Sequence, residues 1–254
     1  MQQIYRIMNR LHVVFVLAIV VSFVACHKPL HVDSTSCETI AVDMTADALQ
    51  DSAYLSQLSQ VKAQLDSQLS VVIGVAPEAL TLGNPESPML NWASDALLDK
   101  ARELYAGRVD MAVVNKGSMR CEWQAGEITL RNVYELMQFD NELVVLTLQG
   151  KDILELCQVF ATDDGQGVAG LRMSAEEKQL IEATIAGKPI AEEAYYTIAT
   201  SDYLAGGTDH MTPLTKAGET WKSGAKIRDL YIDWVREHKT VPAVVDGRMN
   251  LYEI

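Results

Sequence analysis

The sequence predicts a mixed α and β fold, arranged as one layered domain over residues 46–254. Three observations predict it. Strand-like apolar runs interleave with helical stripes along the chain, which is the pattern of a mixed class. The apolar content, 48%, is ordinary for a chain long enough to bury a full core in one domain. No internal repeat and no low-complexity tract interrupts the pattern.

The elements follow in order. Leu55, Leu58, Val61 and Leu65 fit a helical stripe. Val71 to Val75 reads as a buried strand. Ser87-Pro88 is a helix start, with serine as N-cap and proline at the first helical position. That helix runs to about Tyr105 and buries Leu90, Ala93, Leu97, Ala101 and Leu104. Met111 to Asn115 is a strand, and Thr129 caps a short helix through Leu136. Leu143 to Leu148 is a strand ended by Gly150, and Asp152 to Phe160 is a helix. Gly170-Leu-Arg172 begins another strand. Leu180 to Ile185 and Tyr195 to Thr200 read as a pair of strands around Gly187-Lys-Pro189. Ile227 to Glu237 is a helix with Leu230, Tyr231 and Trp234 on one face, and Leu251 to Ile254 closes a sheet edge.

The N-terminus carries a different signal. Arg6 and Arg10 precede an apolar run from Leu11 to Ala25 that is short for a spanning helix, which needs roughly 20 apolar residues. A basic start, an apolar core and a small residue at its end describe a secretory signal peptide over residues 1–25. Cys26, directly after Ala25, resembles the lipidated cysteine of a bacterial lipobox, although Phe23 stands where such boxes usually carry leucine. The alternatives are an uncleaved anchor or a plain secretory signal, and Met8 is a second candidate start. Residues 26–45 read as a tether from the lipid to the domain. The expected location is therefore outside the inner membrane, lipid-anchored at the periplasmic face or the cell surface.

The formal net charge is −13. Such acidity argues against nucleic acid as a partner, because a phosphate backbone needs a basic surface. Outside Cys26 the cysteines are Cys37, Cys121 and Cys157, an odd number with no zinc spacing. Cys121 and Cys157 could pair in an oxidising compartment.

Two stretches carry candidate chemistry. Tyr203-Leu-Ala-Gly-Gly-Thr-Asp209 follows a strand-like run and combines one aromatic, two glycines and one carboxylate. Gly206 and Gly207 can take backbone angles closed to other residues. Tyr203 offers a flat face, and Asp209 accepts hydrogen bonds from paired hydroxyls. A nucleoside needs such a plate for its base and such an acceptor for its ribose; a plain glycine turn is the alternative. Asn115-Lys-Gly-Ser-Met-Arg120 follows the strand Met111 to Val114, and strand ends are usual places for ligand groups. Asn115 both donates and accepts, and Arg120 is a fixed cation with a bidentate fork. Phe139, between a helix and a strand, reads either as core or as a second aromatic face.

The ordered series Glu86 to Asn91, Asp95 to Leu97, Asn115 to Arg120, Gly126 to Thr129, Phe139 to Asn141, Leu148 to Gly150, Gly170 to Arg172, Tyr196 to Gly207 and Asp246 to Arg248 resembles the C-terminal domain of the 5'-nucleotidase family. The resemblance covers about residues 50–254. It implies a nucleoside or nucleotide ligand, a base held between Phe139 and Tyr203, and ribose and phosphate held by Asn115, Arg120 and Asp209, with Gly206 and Gly207 in the same loop. It also has departures. Lys116 and Ser118 replace motif glycines and would project where backbone approaches the ligand. Gln138 replaces a proline, and no Lys or Arg lies between Lys62 and Lys100 where the family carries an arginine.

The family's metallophosphatase domain, with its Asp, His and Asn ligands, has no counterpart here. The histidines are His12, His27, His31, His210 and His238, and no Asp-x-His pattern occurs. A two-metal site cannot be assembled from them. His210 reads as a loop residue near the ligand. The resemblance therefore implies no catalytic residue and no cofactor in this chain. It implies a substrate-binding half of a split 5'-nucleotidase in nucleotide catabolism, with divalent metals and catalysis in a separate metallophosphatase subunit. A stand-alone nucleoside-binding lipoprotein and a degenerate non-binding scaffold are the alternatives.

Overall fold

The computed structural model describes residues 32–39 and 52–252. The expected signal peptide, Cys26 and much of the tether lie outside the described residues. Residues 32–39 have no regular structure and are exposed. The first helix, α1, is Ser52–Leu69, and its stripe of Leu55, Leu58, Val61 and Leu65 is exposed.

The folded body is built on a five-stranded sheet. Its strands are β2 (Met111–Val114), β4 (Glu142–Gln149), β5 (Gly167–Ala169), β9 (Tyr195–Ser201) and β10 (Glu219–Lys226), in the order β10-β4-β9-β2-β5. Successive strand residues face opposite sides. Leu143 and Val145 of β4 accordingly enter one core cluster, while Val144, Leu146 and Leu148 enter another. Ala112 and Val114 of β2 likewise separate from Met111 and Val113. Both faces are covered, which is why these strands read as continuous apolar runs rather than alternating ones.

One face is covered by α2 (Pro88–Leu104), α3 (Leu130–Leu136) and α6 (Ile227–His238), around Trp92, Trp123, Tyr231 and Trp234. Ser87 caps α2 by accepting the Leu90 N–H, with Pro88 inside the first turn. Thr129 and Asn132 form a reciprocal capping box at α3, which satisfies two otherwise orphaned donors. The other face is covered by α4 (Gly150–Thr162) and a four-stranded sheet of β6 (Leu171–Glu176), β7 (Gln179–Ile185), β8 (Lys188–Pro189) and β11 (Met249–Tyr252), in the order β11-β6-β7-β8.

Three expectations need correction, and one open question is answered. The run Val71 to Val75 is not a buried strand. It becomes β1 (Val72–Ala76), which pairs only with β3 (Gly126–Thr129) and buries Ile73 and Ala76 while Val72 and Val75 stay exposed. Leu104, the last residue of α2, is exposed. Leu180 to Ile185 and Tyr195 to Thr200 do not pair with each other. The first joins β6 and β8, and the second crosses to the other sheet between β4 and β2. Cys121 and Cys157 are both free thiols. Cys157 is fully buried among apolar side chains, and burial pushes its pKa up to about 12. The closing strand is β11, which lies parallel to β6 at the sheet edge; Glu253 and Ile254 are outside the described residues.

Candidate functional site

Topology brings three loops to one edge of the five-stranded sheet. β2 and β9 are parallel neighbours, so the segments after them emerge together. β4 runs antiparallel to β9, with Leu143 opposite Ser201, so the segment before β4 emerges at the same edge. These segments carry Asn115 to Arg120, Tyr203 to Asp209, and Phe139 to Asn141. Together they line a cavity of about 350 Å³ formed by Asn115, Gly117, Ser118, Arg120, Phe139, Asn141, Tyr203 and Asp209. Five of the seven residues expected from sequence are therefore in one cavity.

The two aromatic residues are half-exposed there, Phe139 at 49% and Tyr203 at 43%. Neither is core. Tyr203 sits in α5, the short helix Asp202–Ala205, capped by the Ser201 hydroxyl accepting the Leu204 N–H. Asp202 Oδ1 accepts the N–H of Tyr203 at 2.9 Å and that of Glu142 at 3.0 Å. One carboxylate thus ties the tyrosine helix to the strand that leaves the Phe139 loop.

The Phe139 loop is held from α6. Arg228 donates to the Met137 carbonyl at 3.2 Å and to Asp140 at 2.5 Å, and its guanidinium lies 4.5 Å from the centroid of the Tyr134 ring. Lys226 adds a bond to Asp140 at 2.7 Å. Hydrogen bonds from Lys226 and Arg228 hold the Asp140 carboxyl below its ordinary value. The Ile227 N–H closes the loop on the Asn141 carbonyl at 2.9 Å.

Between the aromatic loops runs a polar relay. The Ser118 hydroxyl lies 2.7 Å from Asn115 Oδ1 and from the Asn115 carbonyl. Asn115 Nδ2 donates to Asp209 Oδ2 at 2.5 Å, and the Tyr203 hydroxyl donates to Asp209 Oδ1 at 3.0 Å. Ser118 and Asn115 are buried, so the amide is held in one orientation. Each Asp209 oxygen retains one acceptor position for a ligand hydroxyl. Arg120, exposed at the rim, donates to the Gly117 carbonyl at 3.1 Å.

Three expectations change. Gly206 caps α5 with φ −76°, an angle open to any residue, so it has no special backbone role. Gly207 does, at φ +81°, where a Cβ would also come within 2.7 Å of Thr215 Cγ2. Neither glycine lines the cavity. Lys116 does not crowd it either. Its ammonium turns to the Asp163 carbonyl at 2.8 Å, and it lines an adjoining groove with Asp163, Gln166 and His210 that shares Asn115, Gly117 and Asp209 with the cavity. Ser118 lines the cavity, but it is buried and its hydroxyl is taken up by Asn115 rather than projecting toward a ligand. His210 pairs with Asp163 at 3.0 Å on that second groove.

Sequence reasoning passed over Asn141 and Gly117 as lining residues, though both stand inside the segments it singled out. It had no signal for Arg228 or Lys226, which reach Asp140 from 88 and 86 residues away. Other segments in the ordered series turn out to be structural. Arg248 forms a bidentate pair with Asp95 at 2.8 and 3.1 Å, bonds Asp246 at 3.0 Å, and donates to the Val168 carbonyl. Glu86 accepts from Asn91 at 2.6 Å and from the Asp246 N–H at 2.8 Å. Among the described residues, no group of three or more His, Cys, Asp or Glu side chains is placed to hold a metal ion.

Residues 72–216 match the family described as 5'-nucleotidase, C-terminal domain, a span that includes every segment lining the cavity. The chain belongs to that family. Among its relatives is a probable 5'-nucleotidase of Treponema pallidum, 27% identical over 87% of this chain and 43% of the relative. A 5'-nucleotidase of Vibrio cholerae is 26% identical over 70% of this chain and 33% of its own length. The solved structure of a 5'-nucleotidase precursor from Thermus thermophilus superposes with a TM-score of 0.71 at 25% identity, over 81% of this chain and 44% of that one. The chain thus spans less than half the length of these relatives, and it corresponds to their C-terminal domain.

Proposed function

We propose that this chain binds a nucleoside or nucleotide in the cavity between Phe139 and Tyr203, as the substrate-binding half of a split 5'-nucleotidase. The observation that carries the reading is the placement of these two half-exposed aromatic faces, from loops 64 positions apart in sequence, on one cavity with the Asn115–Asp209 pair. A volume of about 350 Å³ falls within the range of small-molecule sites, roughly 300–1,000 Å³. The base lies between the rings, Asp209 and Asn115 take the ribose hydroxyls, and Arg120 faces the anionic end. Stacking on such faces contributes roughly 1–3 kcal/mol per base and tolerates different bases.

The hydrolytic step belongs to a separate metallophosphatase subunit. This chain's contribution is to hold the reacting phosphate in one orientation, which is the positioning part of catalysis. The protein is anchored through a lipid on Cys26 at the cell envelope. Against the scaffold alternative stands the turn of the Lys116 ammonium to the Asp163 carbonyl, away from the residues that line the cavity.

Adenosine titrated into the purified chain by calorimetry tests the reading. Saturable binding is expected, with Phe139→Ala and Tyr203→Ala each weakening it by about 5- to 150-fold, the equivalent of one lost stacking face. No heat from a folded sample at millimolar adenosine would overturn it. Replacing Cys26 by alanine is expected to move the protein from the membrane fraction to the soluble one.

A further inference from the structure

A second, much smaller space adjoins the cavity. It measures about 10 Å³ and has Asn115 and Ser118 in common with the cavity, while Ser201 and Tyr231 stand among its other walls. Every residue around it is buried. Tyr231 belongs to α6, and its buried hydroxyl has no hydrogen-bond partner among the described residues. Burial pushes its pKa up, so the group is a neutral hydroxyl that can donate one bond and accept another. Native structures rarely leave such a group unpaired, because burial without a partner forfeits its bonds to water.

Two other walls have hydrogen-bonding capacity to spare. The Ser201 hydroxyl accepts the Leu204 N–H at 3.1 Å and keeps its own proton to donate. Asn115 Oδ1 lies 2.7 Å from the Ser118 hydroxyl and has a second acceptor position. A buried water needs a space of roughly 10–15 Å³ and two to four polar partners. This space meets the lower figure, and Tyr231, Ser201 and Asn115 supply the partners.

We propose that the space holds one buried water bonded to Tyr231, and that Tyr231 acts through it as a positioning residue for Asn115. The water joins α6, whose Arg228 already holds the Phe139 loop, to Ser201, which caps the tyrosine helix α5. It also joins both to the amide that meets Asp209. The polar relay is thereby braced from its buried side as well as by its own bonds. The positioning of a ribose contact rests on the nucleoside reading above; the water itself does not.

Two measurements on the full chain in detergent test the proposal: a crystal structure at a resolution that orders buried waters, and calorimetry on Tyr231→Phe. Phenylalanine keeps the ring that packs 5.2 Å from Trp92 between centroids and removes only the oxygen. The crystal structure is expected to show a water within hydrogen-bond distance of the Tyr231 hydroxyl and of Asn115, Ser118 or Ser201. The variant is expected to lower the thermal midpoint by about 2–4 °C, the shift of one lost hydrogen bond in a domain of this size. It is expected to raise the Kd of adenosine by about 3- to 10-fold, the equivalent of that one bond. Adenine, which has no ribose to reach Asn115, is expected to bind the variant as it binds the wild type. A dry space, or a Tyr231 hydroxyl bonded to a protein acceptor, would overturn the proposal. So would a higher midpoint in the variant, the sign of a hydroxyl that had no partner. Equal losses for adenosine and adenine would mark a general loosening of the fold and overturn the positioning role. If the water is present and the wild type binds no adenosine, the nucleoside reading fails and the positioning role falls with it, while the water stands.

Discussion

Asn115 and Asp209 meet at 2.5 Å, and the contact depends on the amide offering its nitrogen. Asn115→Asp keeps the shape and places two carboxylates at that distance. Like charges so close cannot both ionise freely, and one pKa rises. The expected outcome is weaker adenosine binding at pH 8 that recovers in part at pH 5, where the pair shares a proton; calorimetry at the two values reads it. Asp140 gives a second pH dependence of known sign. Lys226 and then Arg228 hold its carboxyl below the ordinary 3.8 by hydrogen bonds. An acid with a lowered folded pKa stabilises fully above its unfolded value and loses that contribution as pH falls through the folded one. The Phe139 loop should thus keep its anchor from pH 8 down to about 4 and lose it below. Asp140→Asn should weaken adenosine binding across that whole range, and an unchanged affinity would remove Asp140 from the positioning of Phe139.

The loop after α5 turns on Gly207 and then runs through Asp209 and His210, at φ +50° and +62°. Non-glycine residues rarely occupy this region, and each costs of order 1–3 kcal/mol unless surrounding contacts impose it. The bonds from Asn115 and Tyr203 to Asp209 and the pairing of His210 with Asp163 are such contacts. Gly207→Ala adds a Cβ at φ +81° and 2.7 Å from Thr215 Cγ2. The expected loss is about 1–3 kcal/mol by urea denaturation, with weaker adenosine binding because Asp209 moves with the turn. The capping signals at Ser87 and Thr129 were legible because a cap depends only on residues within one turn. The wrong pairing of Tyr195 to Thr200 shows the reverse. A run of apolar and β-branched residues marks a strand but does not name its neighbour, and the neighbour chosen was β4, about 50 positions upstream.

Across the molecule, Arg248 joins pieces that sequence keeps far apart. It is 7% exposed and links Asp95 of α2, Asp246 and the carbonyl of Val168 in β5, just before β11 enters the second sheet. Burial weighs against its charge, but the bonds to Asp95 and Asp246 outweigh it and raise its pKa. Removing one member of a buried pair leaves an uncompensated charge and costs about 3–5 kcal/mol. Asp95 is half-exposed, so Arg248→Met should fall toward the lower end of that range. A lower urea midpoint with unchanged adenosine affinity is expected, because none of these groups lines the cavity. A loss of affinity at unchanged stability would instead make this cluster part of the binding site.

The residues themselves determined the mixed class, most helix starts, the buried strands of the central sheet and the two aromatic loops. These rest on periodicity, on capping and on ordered short motifs, all of which act within a few positions. Which loops share a cavity was decided by strand order. The parallel pairing of β2 with β9 and the antiparallel pairing of β4 bring Asn115, Phe139 and Tyr203 to one edge. Side-chain direction was decided there too. Lys116 leaves the ligand space because the Asp163 carbonyl offers it a partner, and Ser118 stays under Asn115 because the amide oxygen accepts its proton. The partner of Lys116 lies 47 positions away, and local pattern carries no record of it, whereas the partner of Ser118 is three positions away and only its side-chain direction was hidden.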